Sequence, residues 1–210
     1  MEGTLREDLR HEYPTLARYF SILGIGENDI KGMRVLDVGA GAIRFAQEAA
    51  HAFDANIYSC EPDLEEARMR YSRLVYAESM GGLWQKFNLS WTLALSRAHE
   101  GRAEALPYDD HLFDLVVSCY ALPAILKDEA AMQKGLMELW RVTALSGRII
   151  MAPVVFPRTR AGEHARILRG VMRFLASLPF TAEWRVEEYL DTDPIAGKQI
   201  KLIRLLVRKL

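Results

Sequence analysis

The 210-residue sequence predicts a single α/β domain: a doubly wound, mostly parallel seven-stranded sheet with helices on both faces. Three observations lead there. Short apolar runs alternate with amphipathic helical segments over most of the length, the order expected of a parallel sheet. One such run enters a glycine turn and then a helix, Val35-Leu36-Asp37-Val38-Gly39-Ala40-Gly41-Ala42. No repeat, low-complexity tract or Pro/Gly/Ser linker divides the chain, and its length suits one core.

The elements follow in order. Leu5, Leu9, Leu16, Phe20 and Leu23 recur at helical spacing, which predicts a helix over 5–23 with a break or kink at Pro14. A loop covers 24–32. Met33 to Val38 reads as a strand and Ala42 to Phe53 as a helix, with Ile43, Ala46, Ala50 and Phe53 on one face. Asn56 to Cys60 is the next strand. Asp63 caps a helix running to about Met80, with Glu66 at capping-box spacing.

Leu89, Trp91, Leu93 and Leu95 alternate with small or polar residues, which predicts a short strand before Gly101. Phe113 to Cys119 is a strand, and Asp128 to Thr143 a helix. Gly147 ends a turn ahead of a strand from Arg148 to Val154. Arg160 to Leu178 is helical, and two late strands cover about Thr181–Leu190 and Gln199–Arg208. On this reading residues 1–24 form a helical cap, 33–154 a binding core, and 155–210 a C-terminal helix and strands.

The bulk numbers exclude several classes. A net charge of −1 lacks the positive excess of a nucleic-acid binder, so no nucleic-acid partner is expected. No apolar run reaches membrane-spanning length, and the charged N-terminal stretch has no signal-peptide core. With only Cys60 and Cys119, the expectation is a cytoplasmic protein with reduced thiols. The two cysteines end strands on opposite sides of the first strand, roughly 9.6 Å apart at ordinary strand spacing, too far for a disulfide. No cysteine–histidine spacing suggests a metal site.

The glycine turn carries the chemistry. Small residues let the backbone turn sharply and approach a ligand, and a helix start there presents free N–H groups. A dinucleotide site would need glycine where Arg44 stands. Asp37, two residues before Gly39, would also repel a pyrophosphate. It suits a ligand carrying positive charge. Glu61, 20 residues after Gly41 at the end of the second strand, can accept hydrogen bonds from both hydroxyls of a ribose. A nucleotide-dependent oxidoreductase is therefore disfavoured. His111 falls in an Asp109-Asp110-His111 loop at the entrance of the fourth strand, away from this turn, and reads as a loop residue.

Together these segments resemble the class I S-adenosylmethionine-dependent methyltransferases, specifically the type 11-like group, on a Rossmann-like fold. Val35–Gly41 resembles the family's first motif. Ser59-Cys60-Glu61-Pro62-Asp63 is similar to the end of its second strand, and Gly101–Tyr108 to its adenine-binding segment. Phe113–Leu122 resembles its fourth strand and following turn, and Glu138–Val142 with Ser146-Gly147-Arg148 its approach to the fifth.

The resemblance implies S-adenosylmethionine as cofactor, held by Asp37, Gly39, Ala40, Gly41, Glu61, Pro62, Ala103 and Glu104, with Ser118 and Tyr120 bordering the methyl group. It implies methyl transfer to an acceptor, expected to be a small molecule. A non-catalytic cofactor-binding partner subunit on the same fold is the alternative. Two positions depart from the family pattern: Ile43 stands in place of a third glycine, and Arg102 in place of an aspartate that meets adenine. No catalytic base is identified.

Overall fold

A computed structural model describes residues 15–53, 55–78, 91–126, 128–154, 161–192 and 198–210. The expected helical residues 5–14, Leu89 of the expected third strand, and Arg160 at the start of the expected late helix lie outside these residues. The elements are α1 (Leu16–Leu23), β1 (Arg34–Val38), α2 (Arg44–Phe53), β2 (Asn56–Glu61), α3 (Leu64–Glu78), β3 (Ala98–Glu100), β4 (Phe113–Cys119), α4 (Leu122–Ile125), α5 (Glu129–Val142), β5 (Thr143–Ala152), α6 (Ala161–Ser177), β6 (Ala182–Thr192) and β7 (Gln199–Lys209). The strands make one seven-stranded sheet in the order β3-β2-β1-β4-β5-β7-β6. β1 to β5 run parallel, and β7 is antiparallel to both β5 and β6.

Strand alternation divides the core. Val35 and Asp37 of β1 face α1 and α2, which contribute Tyr19, Ile22, Leu23, Phe45, Ala46 and Ala49. Leu36 and Val38 face the opposite layer, where Met132, Leu136 and Leu139 of α5 and Ile167, Val171 and Phe174 of α6 close over β5 and β7. β1 lies between β2 and β4, and chain order reverses across it, so the carboxyl ends of β1 and β4 form the crevice where this architecture binds ligands. Cys60 and Cys119 are free and buried on either side of β1.

Three sequence expectations need correction. Residues 91–96 are helical, and the strand before Gly101 is only Ala98–Glu100. Leu83, Phe87, Trp91 and Leu95 also fit a helical period in the sequence, and in the helix Ala94 is buried against the core. β5 begins at Thr143 rather than Arg148. Gly147 lies inside it, at a shift of register in which Phe113 pairs with Thr143 and Leu115 with Arg148. Helix α2 starts at Arg44 rather than Ala42, because Ile43 has φ 60°. Ile43 thus adopts the left-handed conformation a third glycine would take, at a backbone cost of about 1–2 kcal/mol. Its complete burial offsets this by about 1.5–3 kcal/mol.

Candidate functional site

The site is built at the carboxyl end of β1. Gly39 and Gly41 both have positive φ, 75° and 55°, and the turn is tied to β2 by the Gly39 N–H donating to Cys60 O at 2.8 Å. A Cβ built on Gly39 would lie 2.3 Å from the Ala121 Cβ, so the turn after β1 and the turn after β4 touch at this glycine. Glu61 ends β2 and folds back over the loop. Its Oε2 accepts the Gly41 N–H at 2.9 Å. Burial raises the Glu61 carboxyl above its ordinary value, and the Gly41 bond opposes that rise.

Asp37 is fully buried on the α1–α2 face. Its Oδ2 accepts the Tyr19 hydroxyl at 3.2 Å, whereas Oδ1 has no hydrogen-bond partner among the described residues. Burial lifts its carboxyl to about 7. The Tyr19 bond pulls the other way, and the nearby Glu61 charge adds to the rise. The neighbouring thiols stay protonated: burial pushes Cys60 up to about 12 and raises Cys119 strongly.

Beside the loop lies a cavity of about 100 Å³, bounded by Val38, Gly39, Cys60, Pro62, Gly101 to Glu104, Leu122 and Ile125. It is an apolar slot with acidic groups at its edge. Its one cation, Arg102, has a side chain 72% exposed and lies 3.9 Å from Glu104. Arg102 therefore points out, and Glu104 is the acidic side chain left at the wall. Leu106 N–H donates to Glu138 and Arg141 bonds the Leu106 and Tyr108 carbonyls, which fixes the segment that carries Ala103 and Glu104.

Of the residues expected from the sequence, Gly39, Pro62, Ala103 and Glu104 line the cavity, Glu61 bonds Gly41 across the loop, Ala40 lies between the two glycines, and Asp37 ends on the opposite face of β1 against Tyr19. Ser118 and Tyr120 are placed differently. Ser118 is fully buried, and its Oγ accepts the Leu122 N–H at 3.3 Å. Tyr120 has φ 57° and directs its hydroxyl to Asp191, which also pairs with Arg18 at 3.2 Å. Through these contacts α1, the turn after β4 and the end of β6 meet over the strand ends. Val38, Cys60, Gly101, Leu122 and Ile125 also wall the cavity; the sequence places the first four within the cofactor motifs without singling them out, and Ile125 it does not place. Apolar residues flanking a recognised turn are the signal that could have found them. Arg18 and Asp191 carry no local signal as site residues, since they meet each other across 173 residues and Asp191 meets Tyr120 across 71.

His111 packs at the opposite end of the sheet. It sits 2.9 Å from Lys209 Nζ, which donates to the Trp140 and Thr143 carbonyls. Among the described residues no histidine lines the cavity, no cluster of acidic, histidine or cysteine side chains could hold a metal ion, and no helix is long and apolar enough to cross a membrane.

Comparison with known proteins agrees with this geometry. A family described as "Methyltransferase domain" matches residues 36–151, more than half of the chain. A search of curated protein sequences found no match. Among solved structures, an S-adenosylmethionine-dependent methyltransferase from Aquifex aeolicus aligns over 100% of this chain and 97% of its own, at 15% identity and TM-score 0.55. A putative sarcosine dimethylglycine methyltransferase from Galdieria sulphuraria aligns over 92% of this chain and 82% of its own, at 16% identity and TM-score 0.57. TrmN from Thermus thermophilus aligns over 86% of this chain, at 18% identity and TM-score 0.51, and this chain spans 45% of its length. At these identities the structures share the fold.

Proposed function

The chain belongs to the methyltransferase-domain family and is an S-adenosylmethionine-dependent methyltransferase, and from that premise we propose that it methylates a small-molecule acceptor at the carboxyl ends of β1 and β4. The observation that carries the site assignment is the placement of a buried carboxyl group, Asp37, and a half-buried one, Glu61, around one glycine turn. The donor set fits the cofactor and opposes a pyrophosphate. Among the described residues it offers an acidic oxygen without a partner, a second carboxylate over the loop, and an apolar slot whose only cation points outward.

In this reading Asp37 receives the cofactor's ammonium group and Glu61 its ribose hydroxyls. Gly39, Ala40 and Gly41 admit close approach of the ligand to the backbone. Pro62, Ala103 and Glu104 line the adenine slot. When bound, the cofactor supplies an electrophilic methyl group. The protein's tasks are alignment and exclusion of water. Ser118 and Tyr120 shape the turn at the acceptor side, Ser118 by holding the start of α4 and Tyr120 through its bond to Asp191.

A small acceptor follows from the closure of the crevice. In this reading α1, whose Tyr19 is buried against Asp37, covers the carboxyl end of β1 and favours a small acceptor over a macromolecule.

Incubation of the protein with methyl-labelled S-adenosylmethionine and separated small-metabolite, protein and nucleic-acid fractions tests this. Label is expected in the small-metabolite fraction. Label confined to a macromolecular fraction contradicts the acceptor class, and cofactor binding without transfer to any fraction favours a non-catalytic partner subunit.

A further inference from the structure

Asp37 is the group through which the cap helix reaches the binding loop. The helix is held firmly. Thr15 caps it, and the Leu16 N–H donates to Glu48 of α2 at 2.5 Å. Glu48 also pairs with Arg44, and Arg18 reaches Asp191. Within this frame Tyr19 is 4% exposed and its ring stacks on Phe45 with centroids 4.5 Å apart and planes 4° from parallel. The stack fixes the ring and leaves the hydroxyl one acceptor, Asp37 Oδ2. One carboxylate oxygen is thereby used and the other, buried, has no partner among the described residues. A buried anionic oxygen without a donor is costly, so this arrangement is one that a cationic ligand completes.

We propose that Tyr19 is a positioning residue for the cofactor's ammonium group: its hydroxyl holds the Asp37 carboxylate so that the remaining oxygen receives the ammonium. The inference rests on the cofactor reading above. It makes α1 part of the binding site for the amino-acid end of the ligand and leaves the adenosine end to the cavity on the other side of Gly39.

Two ligands separate the ends. S-adenosylhomocysteine carries the amino acid, and methylthioadenosine does not. Tyr19→Phe keeps the stack on Phe45 and removes the hydroxyl. It is expected to raise the Kd of S-adenosylhomocysteine at least about fivefold, within the range of a hydrogen bond to a charged group, and to leave that of methylthioadenosine within about twofold.

The pH profile gives a readout that a merely structural role would not move. The charged and titratable groups facing Asp37 are Tyr19 from α1, Glu61 and Cys60 from β2 and Cys119 from β4. Both thiols and the Tyr19 phenol are raised, so they remain neutral through this range. Wild-type affinity for S-adenosylhomocysteine should therefore rise with pH through about 7 and then level off. Loss of the Tyr19 bond, which lowers the Asp37 pKa, should move that midpoint upward in Tyr19→Phe.

Amide exchange on the wild-type protein gives a test independent of the variant's stability. S-adenosylhomocysteine should slow exchange over Leu16–Leu23 more than methylthioadenosine does. Equal weakening of both ligands by Tyr19→Phe, an unchanged Kd or midpoint, or equal protection of α1 by both ligands would overturn the inference. A wild-type protein that binds neither ligand would overturn the cofactor reading beneath it.

Discussion

Alanine at position 39 is expected to destabilise the fold by about 2–5 kcal/mol, combining a left-handed backbone penalty of about 1–2 kcal/mol with an overpacking cost of about 1–3 kcal/mol. Gly39 has φ 75°, and the added methyl would lie 2.3 Å from the Ala121 Cβ. Real Cβ atoms do not approach this closely, so the turn after β1 must move away from the turn after β4. For a chain of this size, melting temperature should fall by roughly 2–4 °C per kcal/mol. The double variant Gly39→Ala/Ala121→Gly restores the space and should recover the overpacking part, leaving the backbone strain. Thermal melts of the three proteins check this. A Gly39→Ala variant as stable as wild type would mean that the two turns do not touch.

Asp37→Asn is expected to act in the opposite direction on stability while removing ligand affinity. The Asp37 carboxyl has an ordinary value of 3.8 and a folded value of about 7. Between those values the folded state binds the proton that the unfolded state has released. Stability therefore falls as pH rises through that window, and the full cost, on the order of 4 kcal/mol, applies above it. Asparagine does not ionise, but its amide places an unpaired donor or acceptor in the same buried space, at about 1–3 kcal/mol. The net expectation is a variant more stable than wild type by about 1–3 kcal/mol at pH 8. Toward pH 4 the difference should reverse, because the ionisation cost has almost gone and the amide's cost of about 1–3 kcal/mol remains. The same variant should lose most of its affinity for S-adenosylhomocysteine, since the ammonium loses its counter-charge. Denaturant titrations at the two pH values measure the first effect and calorimetry the second. A variant less stable than wild type at pH 8 would show that Asp37 is not strained by burial.

The contrast between Gly39 and Asp37 also shows which features the sequence carries. Phe113–Cys119 was legible to the residue, because a continuous apolar run buried on both faces fits a central parallel strand. Asp37, Gly39, Gly41 and Glu61 were legible as a group, since a strand, a glycine turn and a second strand place them at one edge of the sheet.

Other features depend on tertiary contacts. Leu89, Trp91, Leu93 and Leu95 fit a strand period while Leu83, Phe87, Trp91 and Leu95 fit a helical one, and only packing chooses between them. Ile43 gives no sign of a positive φ, because a β-branched residue disfavours it. Burial supplies the compensation. The cofactor resemblance gives no hint that the Tyr120 hydroxyl turns to Asp191, or that Tyr19 spends its hydroxyl on Asp37. Both depend on how the cap helix and the last hairpin close over the sheet.

Calorimetric titration of the wild-type protein and Glu61→Ala with S-adenosylhomocysteine, with NAD as the control ligand, tests the central assignment most directly. Glu61 is half-buried and bonded to Gly41, and a ribose pair on its carboxylate should contribute about 1.5–3 kcal/mol. The account predicts one S-adenosylhomocysteine site per wild-type chain, binding at least about tenfold weaker in a folded Glu61→Ala variant, and no comparable binding of NAD. Tight NAD binding without the adenosyl ligand, or an unchanged dissociation constant in the folded variant, would contradict it.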